Sequence, residues 1–510
     1  MRAEMESPNL CSPVHHLDGD SLAEIFFWVV RDEGSKLLVK YKNLMRITHV
    51  CRAWRAIALN LAELWGDVAF ASGNPHVFET LLQRAGTAPI DLPFTIPASE
   101  AQLEYIARHS ERFRSMHISR SVRWDPTSLA GKHMPYLESA RLYAGPRYEG
   151  VRSELDPVVM PRLRDLYMSL FCVPFAAPNL RKLRITAATP FAPRTLVQML
   201  NALPNLEHLR LRFCLPTSYV QDGEGVALIN LPNITCIDLK DLCTPMSAFL
   251  EQLRIKDPAC AVLLTLSRNF ERPPSEVQRL ARALQPYLSA SFRDSILMSS
   301  LRESSISVYS SNSHGFGEYM VRDGAVVINS ETAENPASLH TVLFEQFHTS
   351  QIRHLCAYHA DFAAGATPDD WADLYRHPLL SDHLQTLKTY VGLTHPDASL
   401  DRATMLPLLL GEPIRRPELR EMTLSGDACS YVLTVADGAS NLSRWLKERI
   451  VSGHPLERLR LEGEIAYEDR SAMESLAEQE VWERIRDAVD VIDEWTVRTK
   501  GLSMDDYEQL

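Results

Sequence analysis

Near the N-terminus, apolar residues recur twice at helical spacing. Leu22, Ile25, Phe26 and Val29 fall at i, i+3, i+4 and i+7, so Ser21–Val30 reads as a helix with one apolar face. Val50, Trp54, Ile57 and Leu61 repeat the pattern, and Leu44, Ile47 and Cys51 form a neighbouring face of a stretch that runs on to Leu64 and Trp65. Helices this short bury only part of that surface on one another. The remainder, tryptophans included, predicts cover from another domain or another protein. Val77–Arg84 reads as a further helix and Pro89–Ile96 as a strand.

Downstream the period changes. An apolar residue followed by others three and five positions later appears in Phe113–Ile118, Leu163–Met168, Leu180–Ile185, Leu206–Leu211 and Ile234–Leu239, with Leu137–Leu142 a weaker copy. It returns in Leu384–Leu387, Leu419–Leu424 and Leu456–Leu461. Pro178–Asn179, Pro204–Asn205 and Pro232–Asn233 mark turns just before three of the copies. The early copies start mostly 24 to 28 residues apart, a spacing similar to that of leucine-rich repeats, in which each unit supplies a strand and a returning segment. Such units are too small to bury their apolar faces alone, and stacking completes the core. The step from Leu163 to Leu180 is too short for a full helix. The alternative is an ordinary α/β domain carrying chance matches.

Alternation along each strand sends the residues between the leucines to the outer face. These are Arg141, Lys182, Arg184, His208, Arg210 and Arg212, with Arg458 and Arg460 in the last copy. Asp165, Tyr167, Asp238 and Lys240 interrupt the stripe. From Asp257 to Ala366 the period blurs, with Ala325–Ile328 strand-like and Ser304–Gly317 the most loop-like part. Ser471–Lys500 carries Leu476, Val481, Ile485, Val489, Ile492 and Trp495 at near-helical spacing, which predicts a terminal amphipathic helix.

Composition narrows the class. A chain of 510 residues exceeds one hydrophobic core, and a 45% hydrophobic content is that of a folded protein. Nine scattered cysteines without a CxxC pair fit a reducing compartment, so the expected location is intracellular, cytoplasmic or nuclear. No apolar h-region opens the chain and no apolar run reaches the roughly 20 residues a bilayer span needs. A net charge of −12 disfavours nonspecific nucleic-acid binding while leaving room for a local basic patch. Neither a nucleic-acid nor a membrane partner is expected.

Leu17, Leu22-Ala-Glu-Ile25-Phe26, Leu44, Val50-Cys51-Arg52, Trp54-Arg55, Ile57-Ala58 and Leu64-Trp65 together resemble the F-box. Two features depart from that pattern. Leu17 is followed by Asp18-Gly19 rather than by proline, and a charged insert, Arg31 to Lys42, separates the helices. The order of elements is also similar to that of fungal F-box proteins carrying degenerate leucine-rich repeats. The resemblance implies an α/β protein in three parts: a helical domain over 1–70, a repeat solenoid with a parallel curved sheet over 71–465, and a helical cap over 466–510. It implies a substrate-recognition subunit that engages a Skp adaptor, and through it a cullin–RING ubiquitin ligase. The adaptor residues would be Leu17, Leu22, Ile25, Phe26, Leu44, Val50, Cys51, Trp54, Leu64 and Trp65. The basic stripe would take an acidic or phosphorylated segment of an unknown substrate protein. A non-catalytic scaffold whose F-box works outside a ligase is the second reading.

Catalytic signatures are absent from the sequence: it has no HExxH, GxSxG, Walker loop or GxGxxG, and Ser-Asn-Ser-His-Gly-Phe-Gly before Glu318 lacks the Lys-Ser/Thr of a phosphate loop. His348, His354, Cys356 and His359 match no zinc spacing. The expectation is a non-enzyme without metal or cofactor.

Overall fold

The computed structural model describes residues 17–31, 36–92, 99–119, 124–144, 150–151, 154–187, 189–219, 228–256, 260–267, 274–288, 295–299, 304–309, 326–330, 353–359, 384–391, 418–426, 436–463 and 489–497. The chain divides into two compact units, Met1–Cys214 with Ala227–Asn233, and Leu215–Val226 with Ile234–Leu510.

The first unit opens with α1 (Gly19–Arg31), α2 (Leu37–Val50), α3 (Arg52–Asn60), α4 (Ala62–Val68), α5 (Pro75–Ala85) and, later, α6 (Glu100–Arg108). Asp18, one of the two departures noted above, caps α1: its Oδ1 accepts the Ser21 amide at 2.7 Å, and that bond holds its carboxyl below the usual carboxylate range. The charged segment is shorter than the sequence suggested, because Leu37 to Lys42 already belongs to α2. Nor is Leu44–Leu61 a single helix. Cys51 adopts an extended conformation (φ −155°, ψ 174°) between α2 and α3, and its Sγ accepts the Trp54 amide as an N-cap. Leu44 and Ile47 from α2 and Ala58 from α3 thereby turn into one core with Leu22, Phe26, Val30, Leu64, Trp65 and Leu81. Trp65 is fully buried and donates its indole N–H to Ala58 O at 2.8 Å. Gly66 lets α4 meet the next strand, since a Cβ there would fall 2.3 Å from the Pro89 carbonyl.

Strands β1 (Ile90–Leu92), β2 (Phe113–Ile118), β3 (Ser139–Tyr143), β4 (Gly150–Val151), β5 (Val158–Val159), β6 (Asp165–Ser169), β7 (Phe171–Cys172), β8 (Phe175–Ala176), β9 (Lys182–Thr186), β10 (His208–Arg212) and β11 (Ile229–Leu231) complete this unit, with α7 (Pro193–Asn201) between β9 and β10. Parallel pairing runs β1-β2-β3-β6-β9-β10. The register stacks Met116, Ala140, Leu166, Leu183 and Leu209 in one row and Ile118, Leu142, Met168, Ile185 and Leu211 in the next, all buried. Leu163, Leu180 and Leu206 each precede their strand and close a turn, their amides donating to the carbonyls of Met160, Ala177 and Leu203. The Pro-Asn turns interlock. Asn179, Asn205 and Asn233 donate their side-chain amides to the carbonyls of Pro161, Pro178 and Pro204, one unit back, at 2.8, 3.1 and 2.9 Å. Among the described residues between β3, β6 and β9, the short parallel pairs β4–β7 and β5–β8 fill the return.

The second unit holds β12 (Cys236–Asp241), α8 (Cys243–Gln252), β13 (Leu253–Ile255), β14 (Ala261–Leu266), α9 (Pro274–Leu288), β15 (Ser295–Ser299), β16 (Ser304–Tyr309), β17 (Val326–Ser330), β18 (His354–His359), β19 (Thr386–Val391), β20 (Glu421–Gly426), α10 (Ala436–Val451), β21 (Leu456–Gly463) and β22 (Val489–Val497). Its strand order is β12-β14-β17-β16-β15-β18-β19-β20-β21-β22. Two findings differ from the sequence expectation. β16 pairs antiparallel with both β15 and β17, so the sheet is not wholly parallel, and the segment read as loop-like begins inside this strand. In place of a terminal helix, β22 adds to β21 in parallel, with Leu456 opposite Val489 and Leu459 opposite Ile492. Val489, Val491, Trp495 and Val497 also alternate at period two, and a partner strand decides between the two periods. The rest of the expected C-terminal helix lies outside the described residues, as does the remainder of the loop-like segment, 310–317. The protein is thus mixed α/β, with long, mainly parallel strand ladders.

Candidate functional site

Two surfaces of the first unit stand out. The first lies on its helices. α1 is apolar on two sides: Leu22, Phe26 and Val30 face the core, while Ile25, Trp28 and Val29 form an outer stripe at i, i+3 and i+4. Trp28 is 75% exposed. Among the described residues, eight of the fifteen exposed large apolar side chains fall between Leu17 and Leu59, including Leu38, Val39 and Val50 at 59%. Exposed apolar side chains clustered in this way mark an interaction surface.

The residues expected to form an adaptor face divide by exposure. Leu17, Ile25 and Val50 are exposed; Cys51 and Trp54 are half-buried, Trp54 packing on Phe26 with ring centroids 5.0 Å apart. Leu22, Phe26, Leu44, Leu64 and Trp65 are buried and shape this surface from beneath. Trp28, Val29, Leu38 and Val39 were not among the expected adaptor residues, although Trp28 and Val29 occupy the i+3 and i+4 positions after Ile25.

A chain of charges ties these helices to the strands. Asp67 on α4 is 2% exposed. Its Oδ2 lies 2.6 Å from Nε of Arg31, the last residue of α1, and its Oδ1 accepts from Nη2 of Arg114 on β2. Arg31 also reaches Glu63 at 3.1 Å, and Arg114 reaches Asp91 on β1 at 2.7 Å. Burial works against the Arg114 charge, and the two carboxylates outweigh it, pushing its pKa further up. The ring contacts of Phe70 with Phe78 and Phe113 reinforce the junction.

The second surface is the outer face of β2, β3, β6, β9 and β10. Register aligns His117, Arg141, Tyr167, Arg184 and Arg210 in one rung across five strands. The next rung is Ser115, Ser139, Asp165, Lys182 and His208, and Tyr143, Ser169, Thr186 and Arg212 make a third. All six basic residues expected on this face are there, Arg141 exposed and the others half-buried. Tyr143 packs edge-on against Tyr167 at 5.1 Å. Burial, then Lys182 beside it, depresses the His208 pKa; burial, then Arg141, does the same to His117. Among the described residues no three His, Cys, Asp or Glu gather as metal ligands, and no helix is long and apolar enough to cross a membrane.

Neither the family models nor the curated proteins contain a match to this chain.

Proposed function

We propose that this protein is a non-catalytic recognition subunit: an F-box-like helical segment docks on a Skp-type adaptor, and leucine-rich-repeat strands capture a target for a cullin–RING ubiquitin ligase. The observation that carries the reading is the uncovered outer stripe of α1, Ile25, Trp28 and Val29, on helices whose inner faces already share a core. Such a stripe suits partner docking, where a few large side chains supply most of the energy. The Asp67 chain supports a fixed separation between docked adaptor and captured target, because it joins α1 to β2. The cationic rungs support a target segment bearing negative charge.

Adaptor binding by the full chain and by an Ile25→Ala/Trp28→Ala variant tests this. Both residues are exposed, so the variant keeps its fold, checked by circular dichroism. Loss of more than about 2 kcal/mol, roughly thirtyfold in affinity, is expected. Equal binding by the folded variant removes the adaptor reading.

A further inference from the structure

Register pairs His208 with Lys182, and Arg210 with Arg184, on two neighbouring strands. Four side chains thus stand at the corners of a rectangle, one strand spacing of about 5 Å by one two-residue step of about 7 Å. A tetrahedral anion is small enough to rest over such a rectangle and meet donors from every corner. Guanidinium forks from Arg184 and Arg210 suit its oxygens, and Lys182 adds a point charge. Arg184 and Arg210 stand directly opposite each other across the two strands, so one anion can draw on both charges.

We propose that Lys182, Arg184, His208 and Arg210 form a proton-linked site for a tetrahedral dianion carried on the captured segment, with His208 taking up a proton as the dianion binds. The inference deepens the target-binding half of the reading above and rests on it.

His208 is the only one of the four corners whose charge changes near neutral pH. The charges facing it are Lys182 and Arg184 from β9, Asp165 from β6 and its chain neighbour Glu207. Glu207 is engaged by Arg181 at 3.3 Å, and Asp165 stands opposite Lys182 rather than opposite His208. With no ligand, burial and then the neighbouring Lys182 hold its pKa below the ordinary histidine value. A dianion above the rectangle makes the protonated ring the favoured form, so binding and proton uptake become one event. The net charge of −12 and the acid at Asp165 favour a single dianion over a long polyanion such as nucleic acid.

Sulfate is the probe for the proton linkage, because it stays dianionic throughout the titrated pH range and leaves any pH dependence to the protein. Calorimetric titration of the full chain at constant ionic strength should give saturable binding, tighter at low pH by up to about tenfold per unit of pKa shift. The same titration should show proton uptake in buffers of differing ionisation heat. His208→Gln should bind at the high-pH level at every pH. His117→Gln should keep the full pH dependence, and Arg184→Ala/Arg210→Ala should lose binding throughout. A phosphoserine peptide with neutral flanks should bind at least tenfold tighter than inorganic phosphate. Sulfate binding that is unsaturable or independent of pH overturns the proposal, as does a His208→Gln protein that titrates like the parent. A peptide no tighter than phosphate overturns the assignment to a captured segment, and a single-stranded oligonucleotide that outcompetes the peptide does so too. No adaptor enters these measurements, so failure of the docking reading would leave them unchanged.

Discussion

Arg184 of β9 stands opposite Arg210 of β10 in the first unit, whereas Glu421 of β20 stands opposite Arg458 of β21 in the second. The second pair meets, with Arg458 Nη1 3.3 Å from Glu421 Oε1. Both ladders otherwise follow one rule. Leu183 and Leu209 are buried in the first as Met422 and Leu459 are in the second, each pair in direct register. The apolar positions therefore specify the sheet in both units, and the positions between them are free to differ. Where unlike charges face each other across strands, the outer face stabilises itself. Where like charges do, one anion can draw on both.

The largest effects should come from the shared part. Leu183→Ala and Leu459→Ala each remove a fully buried side chain, and each should cost about 2–5 kcal/mol. Denaturant unfolding of the two variants would measure this. A loss confined to one unit would break the claim that both ladders rest on the same apolar rows. Next comes the junction that ties helices to strands in the first unit. Asp67→Ala leaves Arg31 and Arg114 without their shared carboxylate, and should cost about 2 kcal/mol in the same assay. It should also speed amide exchange at the end of α1. Equal protection in variant and parent would mean that the ion chain does not hold the helices to the strands.

How far the sequence announced all this differs by level. The L-x-x-L-x-L rows were legible, because period-two alternation leaves a one-residue slip no way to bury its leucines. The Pro-Asn turns were visible as turns, but not as donors to the preceding unit, since a side-chain hydrogen bond across 18 to 29 residues has no local signature. The six basic residues were assigned to the right face; their pairing was not, because register depends on how long each return segment is. Asp67 reads in sequence as an ordinary acid after Trp65-Gly66, and only the fold brings Arg31 and Arg114 to it from opposite directions. The exposed side of α1 was only partly legible, because a helical stripe of apolar residues does not say which of two apolar sides packs inward. The turned strand β16 and the terminal strand β22 were missed where short apolar segments fit either period, leaving strand partners to decide.

A direct exchange of charge between the ladders should produce a smaller effect. Arg184→Glu places an acid opposite Arg210, imitating Glu421 and Arg458, and should stabilise the first unit by about 0.2–1 kcal/mol. It should abolish capture of an anionic partner at the same time. Glu421→Arg builds the like-charged arrangement in the second unit and should destabilise it by a similar amount. Thermal unfolding measures both. If Arg184→Glu lowers the midpoint, the outer rung is not under like-charge strain and the contrast between the ladders loses its physical basis.

The smallest expected effect is a pH dependence confined to the first unit's face. His117 and His208 both have pKa values held below the ordinary histidine value of 6.5 in the fold, mainly by burial and secondarily by Arg141 and Lys182. The unfolded chain, with its ordinary value, binds protons there first as the pH falls. Stability is therefore full above about 6.5 and declines as pH drops through that value toward the folded-state pKa, below which the loss levels off. Each ring is partly exposed, so the decline should amount to a few tenths of a kcal/mol after solvent screening. His117→Gln and His208→Gln together should flatten the stability profile between about pH 7.5 and 5.5, read from urea midpoints at each pH. Adding sulfate should oppose the decline in the parent, because a bound dianion favours the protonated His208, whereas in the double variant it should stabilise by the same amount at every pH. A parent protein whose stability is level across this range, with and without sulfate, would place both rings in surroundings no different from water and remove the electrical distinction between the two ladders.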